Sequence, residues 1–328
     1  MNKDNFIKKI QNFIFRKELF NRGDKILAGI SGGPDSTCLA LVLSELAKKY
    51  DLKLRFVHIN YRQRGEESDK DEEFVRKLAK DLDIPLDVIQ FNKKNTKGNL
   101  EELLRNFRYR EFERIRKSEE FDRVAVGHTL DDKVETFLMN LLRGSGIKGL
   151  ISLKSKRGSI IRPLLGFEKK EVEAFLEKRK IKPRLDKSNL DTKFLRNRVR
   201  LELIPLIERN YNSSFKYRAE KLIENLEDED ELAEMFIENI YSDIVKIKRK
   251  KGIVDVEKIS DLPIGGWKRI FRMALLDIKG DLRNVSANHF LEFKKIALSE
   301  KSKKQKIHLS DFSLERKKNR VIIRLESL

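Results

Sequence analysis

The stretch Gly29-Ile30-Ser31-Gly32-Gly33-Pro34-Asp35-Ser36 decides the fold. It closes a short apolar run, Ile26–Ile30, and opens a helical pattern, Ser36–Lys49. Two glycines let the main chain approach an anion closely. The helix N-terminus offers unpaired N–H groups and positive potential, and the serines add hydroxyl donors. Together these residues make a phosphate cradle. No Gly-Lys-Ser/Thr follows, so the loop is not a Walker A motif, and it lacks the Gly-x-Gly-x-x-Gly spacing of a dinucleotide fold. The plain alternative is a turn in which Asp35 or Ser36 caps a helix. The strand in front of it favours the cradle.

Outward from this loop, strand and helix signals alternate. Apolar runs recur at Leu54–Ile59, Leu86–Phe91 and Val124–Val126. Helical patterns over Asp69–Leu82, Leu100–Lys117 and about Asp131–Leu142 lie between and after them. Such alternation predicts βαβ units and an α/β parallel sheet with helices on both faces. Ligands then sit beyond the carboxyl ends of the strands. A helix is expected from Lys169 to Lys180, and Asp186–Ile204 is dense in Asn, Asp and Arg. After Ser213 the pattern changes to long amphipathic helices, Phe215–Glu224, Glu231–Lys246, Gly266–Leu276 and Ala287–Leu298, the last with Ser286 as N-cap. Two short strands, Lys306–Leu309 and Arg320–Leu325, end the chain, and Lys248–Lys251 reads as a loop. The expected division is a catalytic domain over 1–212 and a smaller, mainly helical domain over 213–328.

The chain has 328 residues, with 72 Lys plus Arg against 53 Asp plus Glu, a net charge of +19. That surplus points to a polyanionic partner, nucleic acid before membrane. A heat-adapted surface would explain many charges but not an excess of one sign. Cys38 is the single cysteine, which excludes a disulfide within the chain and suits a reducing cytoplasm. No apolar run approaches the ~20 residues of a membrane span, and the amphipathic N-terminus lacks the features of a signal peptide.

Two further groups of residues carry chemistry. In His128-Thr129-Leu130-Asp131-Asp132-Lys133-Val134-Glu135, helical spacing crowds three carboxylates on one side of the first turns. Such a cluster can hold Mg²⁺ or an ammonium group; acidic residues are also favoured at helix N-termini for electrostatic reasons alone. In Arg196-Asn197-Arg198-Val199-Arg200 the alternating guanidinium groups suit phosphate, the alternative being a solvated basic face.

The loop Ser31–Ser36 resembles the PP-loop of the ATP pyrophosphatases. The ordered series resembles, within them, the tRNA(Ile)-lysidine synthase family. It runs through Val57-His58-Ile59-Asn60, Arg64-Gly65-Glu66-Glu67-Ser68, Asn99 to Arg105, Arg108-Tyr109, Gly127 to Glu135 and Leu142-Arg143-Gly144-Ser145-Gly146. It continues through Ile161-Arg162-Pro163-Leu164-Leu165 and Asp186-Lys187-Ser188-Asn189 to Arg196-Asn197-Arg198. The match covers Ile26 to about Ile207. The family often has His-Gly where this chain has Tyr61-Arg62, and the tail looks like the shorter of the family's C-terminal types.

The resemblance implies a Rossmann-like domain of the adenine nucleotide hydrolase type, ATP and Mg²⁺ as cofactors, and a tRNA-binding C-terminal domain. It implies ligation of free L-lysine to cytidine 34 of an isoleucine tRNA with a CAU anticodon, through an adenylated intermediate. Ser31, Gly32, Gly33, Pro34, Asp35 and Ser36 would hold ATP, with Asp35 on the metal. Asp132 and Glu135 would hold the lysine amines, with Asp131 and His128 beside them. Arg196 and Arg198 would bind phosphate or stabilise the adenylate, with Arg105 and Arg108 as further candidates. A homodimer is admitted but nothing in the sequence sets it. The alternative is another PP-loop ligase, thiolating or amidating; a single cysteine, Cys38, disfavours the first and the lack of a visible glutaminase nucleophile the second. A nucleotide-sensing RNA-binding module is the non-enzymatic alternative.

Overall fold

The computed structural model describes residues 5–63, 65–91, 100–184, 192–299, 305–309 and 311–326. The chain divides into two compact units, Met1–Leu226 and Glu227–Leu328.

The first unit is built on a six-stranded sheet of order β3-β2-β1-β4-β6-β5. Its strands are β1 (Lys25–Gly29), β2 (Lys53–Asn60), β3 (Leu86–Gln90), β4 (Arg123–Val126), β5 (Lys156–Arg157) and β6 (Ile160–Ile161). All neighbours run parallel except β5 with β6. The strands are apolar runs because both faces are covered. Ile26, Ala28 and Ile30 point into one core layer, with α2 (Pro34–Tyr50). Leu27 points into the other, with Val57, Val124 and Phe112 of α4 (Leu100–Ser118). The period of two is the alternation of side chains across a strand. α1 (Asn5–Arg16) closes the first layer by setting Phe6 and Phe13 against Phe167, and Phe6 against Phe175 of α7 (Lys169–Lys178).

Beyond β1 the chain builds outward through β2, α3 (Glu66–Asp81) and β3, then crosses back to lay β4 on the other side of β1. The strand order therefore reverses between β1 and β4, and the crevice at their carboxyl ends is where such sheets bind ligands. Ser31–Ser36 leaves β1 into this crevice, and Gly127-His128-Thr129 leaves β4 into it before α5 (Leu130–Leu142).

The segment after α7 brings α8 (Leu195–Arg198), a π-helical turn over Val199–Leu203 and α9 (Ile204–Asn210) against α5. α10 runs unbroken from Phe215 to Ile244, where the sequence suggested two helices. Its first turns bury Ala219 and Ile223 with Leu130, Val134 and Phe137 of α5. The unit boundary thus falls inside α10, at Leu226, rather than at the expected 212/213.

The second unit holds a five-stranded antiparallel sheet of order β7-β8-β11-β10-β9. Its strands are β7 (Val245–Lys248), β8 (Lys251–Asp255), β9 (Gln305–His308), β10 (Phe312–Lys317) and β11 (Arg320–Leu325). α11 (Val256–Ser260) follows β8, while α12 (Ile264–Lys279) and α13 (Ala287–Ala297) cover the sheet around Phe271, Phe293 and Leu314. The expected helices α12 and α13 and strands β9 and β11 are present, with more strand than the sequence suggested. The Lys248–Lys251 loop is the tight end of the β7–β8 hairpin, with Lys248 paired to Lys251. Among the described residues no helix is long and apolar enough to cross a membrane.

Candidate active site

The loop after β1 is held in shape by its own last serine. Ser36 Oγ accepts the N–H groups of Ser31 and Gly32 at 3.1 Å each and donates to Gly33 O at 3.0 Å. Gly32 has φ +91°, a left-handed conformation that glycine adopts without strain. Gly33 has φ −71° and ψ 169°, open to any residue, and a Cβ there would meet only Ser31 Oγ, at 3.7 Å. The space over Gly33 is therefore open in the free protein. Gly127 packs directly on this loop: a Cβ would lie 3.0 Å from Asp35 C and O. The two crevice segments touch through their backbones, which places His128 beside the cradle.

Asp35, on the first turn of α2, is half-buried. Burial pushes its carboxyl up to about 7, with Asp132 and Asp131 adding to the rise and Lys169 and Arg200 opposing it. A cation beside such a carboxyl favours its ionised form.

The three carboxylates of α5 have three different environments. Asp131 accepts the backbone N–H of Lys169 at 2.7 Å and the ammonium of Lys216, on α10, at 2.9 Å. Burial alone would lower Lys216, but Asp131, Glu208 and Glu168 outweigh it and hold the ammonium above its ordinary range. Asp132 caps its own helix, accepting the N–H and hydroxyl of the buried Thr129 through Oδ2. Its Oδ1 has Arg200 at 3.7 Å. Burial would raise Asp132, yet Lys169, His128, the Thr129 N–H and Arg196 bring it below its ordinary value. Glu135 is fully buried, with both oxygens occupied: Arg200 is bidentate on Oε1 and Oε2, and Arg196 Nε donates to Oε2 at 3.1 Å. The spacing that suggested a shared ammonium site instead places Glu135 behind two guanidinium groups.

Arg196 and Arg200 lie four residues apart on α8 and the following turn, so they reach α5 together. Arg198, two residues from each, is exposed and meets none of these groups among the described residues. The alternating spacing that suggested a phosphate comb would suit an extended chain; in a helical segment it sends Arg198 to another side.

His128 accepts a hydrogen bond at Nδ1 from Arg162 Nε, at 3.3 Å. Burial pulls this histidine down to about 3; Asp132 opposes, while Arg162, Arg108 and Arg105 add to the fall. Arg162 is 3% exposed, and its other guanidinium arm donates to Lys154 O at 2.7 Å. Arg105 and Arg108 stand over the Tyr109 ring at 5.2 and 5.6 Å from its centroid. The residues expected at the site thus gather in the crevice, apart from Arg198. Asp186–Asn189, Arg64 and Asn99 lie outside the described residues. Arg162, Arg200, Lys169 and Lys216 were not singled out as site residues from the sequence. Only Arg200 left a usable signal, its four-residue spacing from Arg196 once that segment is taken as helical.

The PP-loop domain family matches residues 2–207. A tRNA(Ile)-lysidine synthase of Caldanaerobacter subterraneus subsp. tengcongensis is 35% identical over 324 residues, covering 97% of this chain and 69% of that protein. The tRNA(Ile)-lysidine synthase of Chlorobaculum tepidum is 32% identical over 272 residues, 82% of each chain. Among solved structures, a U34-tRNA thiolase from Methanococcus maripaludis superposes with TM-score 0.54 at 23% identity, over 67% of this chain and 79% of that one, a likeness of fold.

Proposed function

We propose that this chain, which belongs to the tRNA(Ile)-lysidine synthase family of PP-loop proteins, adenylates cytidine 34 of an isoleucine tRNA bearing a CAU anticodon and then joins free L-lysine to C2 of that base. The observation that carries the reading is the juxtaposition at the β1/β4 crevice: an open glycine cradle beside an acidic helix N-terminus and paired arginines. The cytosine O2 attacks the α-phosphorus of ATP, and pyrophosphate leaves with the bridging oxygen. The lysine ε-nitrogen then adds to C2, loses its proton, and expels AMP.

Roles follow from the geometry. Ser31, Gly32, Gly33, Pro34, Asp35 and Ser36 surround the leaving pyrophosphate; Gly33, Asp35 and Ser36 offer it main-chain N–H groups, while those of Ser31 and Gly32 go to Ser36 Oγ and hold the loop open. Among the described residues no three His, Cys, Asp or Glu side chains are grouped for a metal. The donor set fits Mg²⁺ carried by ATP, held chiefly by phosphate oxygens and water, with the Asp35 carboxylate as its protein ligand. That ion would neutralise phosphate charge. Asp132 is the carboxylate best placed for the lysine ammonium, because Arg200 leaves its Oδ1 at 3.7 Å. Glu135 fixes Arg196 and Arg200, which face the adenylate. Asp131, tied to Lys216, sets the start of α5, and Arg105 and Arg108 supply positive charge for the RNA backbone. Residues 227–328 carry 22 Lys plus Arg against 18 Asp plus Glu, +4 of the chain's +19, so the first unit offers most of the positive charge to the tRNA, and the second is assigned to tRNA binding on the family resemblance. A single cysteine, Cys38, buried and outside any disulfide, supports a reducing cytoplasm.

The test is pyrophosphate release measured with tRNA and ATP, with and without lysine, beside lysine incorporation into the tRNA. Release that depends on tRNA, with lysine required only for the second step, supports the reading. Release that follows ammonia or a sulfur donor instead would assign another PP-loop reaction.

A further inference from the structure

Arg162 is unassigned by everything above, yet it is one of the most buried cations in the first unit. It follows β6 and is anchored at both ends: its backbone N–H donates to Ser155 O at 2.8 Å and one guanidinium arm to Lys154 O at 2.7 Å. Its Nε–H points at His128 Nδ1. A guanidinium has donors and no acceptor. Nδ1 of His128 must therefore present its lone pair, and a neutral imidazole then carries its one proton on Nε2. Nε2 has no hydrogen-bond partner among the described residues. The charged groups that face this imidazole are Asp132 on α5, Arg162 after β6, and Arg105 and Arg108 on α4. Three cations against one carboxylate leave the pocket positive. One residue earlier, Gly127 rests on the backbone of Asp35 at the phosphate cradle.

We propose that Arg162 is a positioning residue for the adenylation chemistry: it locks His128 in the neutral Nε2–H tautomer, so that the imidazole donates a hydrogen bond to an oxygen of the α-phosphoryl group. The inference rests on the proposed function for the identity of that group and on geometry for the tautomer. It assigns His128 no proton transfer. With Nδ1 engaged by Arg162 and Nε2 protonated, neither nitrogen has a lone pair free to take a proton from substrate. The cytosine oxygen forms its bond to phosphorus, the bond to the bridging oxygen breaks, and the imidazole proton stays on nitrogen throughout. The donor strengthens as charge builds on the phosphoryl oxygens, which is how a fixed dipole favours a transition state. Burial and the surrounding arginines keep the ring neutral, so the donor is present across the physiological pH range.

The experiment uses the full chain labelled with ¹⁵N-histidine. Of the four histidines, the His128 signals are identified by their loss in His128→Gln. The expected spectrum has a bare Nδ1 and a protonated Nε2, unchanged from neutral pH down to the acid limit of the fold. In Arg162→Met the ring is expected to exchange between tautomers and to titrate. Pyrophosphate release should then fall about 100-fold in kcat, with the KM for ATP changed by less than about threefold, and gain a pH inflection near the ordinary imidazole value of about 6.5. Arg162→Lys retains a donor without an acceptor, so it should keep the tautomer and recover most of the rate. An Nδ1–H tautomer or an imidazolium in the parent protein at neutral pH would overturn the proposal. So would an Arg162→Met protein with unchanged kcat. If Arg162→Met does not fold, the parent spectrum and Arg162→Lys decide. If the parent protein releases no pyrophosphate with tRNA, the functional reading fails, while the spectrum still tests the tautomer.

Discussion

Replacing Glu135 by Gln removes the one negative charge that two guanidinium groups share in a fully buried position. Three N–H groups converge on its two oxygens, two from Arg200 and one from Arg196. An amide keeps the volume but offers one acceptor oxygen, and its NH₂ turns donors toward donors. Breaking a buried pair by removing one partner costs about 3–5 kcal/mol. The Arg196 and Arg200 side chains are 35% and 22% exposed, so water recovers part of the loss. The expected destabilisation is about 2–4 kcal/mol, or a fall of about 5–15 °C in Tm for a unit of this size. Thermal unfolding by circular dichroism measures it, with pyrophosphate release on the same preparation. Because Arg196 and Arg200 lose the group that fixes them, adenylation should fall while the KM for lysine changes little. A Tm within about 2 °C of the parent, with the defect confined to the lysine KM, would make Glu135 a substrate ligand and refute its role as the anchor of the arginines.

Three further outcomes are expected. Gly33→Val should fold with stability within about 1 kcal/mol of the parent, since its backbone angles and open surroundings accept a side chain; adenylation should be lost, and near-normal AMP formation would contradict the cradle. Asp35 is raised in the folded state from 3.8 to about 7, so its ionisation costs the fold stability: the cost is absent below about pH 4 and grows as pH rises toward 7. Asp35→Asn should therefore match the parent below about pH 4 and exceed it above pH 7 by at most about 4 kcal/mol. Chemical denaturation at the two pH values checks this, and an equal effect at both would refute the burial account. Affinity for tRNA should fall at least about tenfold between 50 and 200 mM salt through counterion release, and salt-independent binding would mean that the +19 charge serves something else.

The first half of the fold was legible because buried parallel strands leave short apolar runs and their connecting helices leave a 3.6-residue period. The expected run Ile26–Ile30 became β1 at Lys25–Gly29, and Leu86–Phe91 became β3 at Leu86–Gln90. The glycine loop was legible because backbone approach to an anion restricts residue type. Two things were not. Strand β7 reads Val-Lys-Ile-Lys and β8 begins with lysine, so charge on the solvent face masked a hairpin that pairing across the sheet stabilises. The partners of Glu135 lie some sixty residues further along the chain, and nothing local to α5 announces them. Spacing placed three carboxylates on one side of a helix; only tertiary packing could distribute them to Lys216, Thr129 and the arginine pair.

The central claim is the identity of the base and of the nucleophile, and radiolabelled lysine incorporation tests both at once. In cytosine the N4 amino group pushes electron density through N3 onto O2, making that oxygen a competent nucleophile toward phosphorus. Uracil has a protonated N3 and a withdrawing C4 carbonyl, and a pocket that accepts the N4 amino group is left with an unpaired polar group facing it, a discrimination that can be large. The measurement is incorporation of labelled L-lysine into isoleucine tRNA with a CAU anticodon, beside the same tRNA carrying uridine at position 34, at saturating ATP. The expected result is stoichiometric labelling of the first, with one pyrophosphate released per lysine, and none of the second. Efficient labelling of the uridine form, or release of pyrophosphate without lysine transfer to the cytidine form, would contradict it.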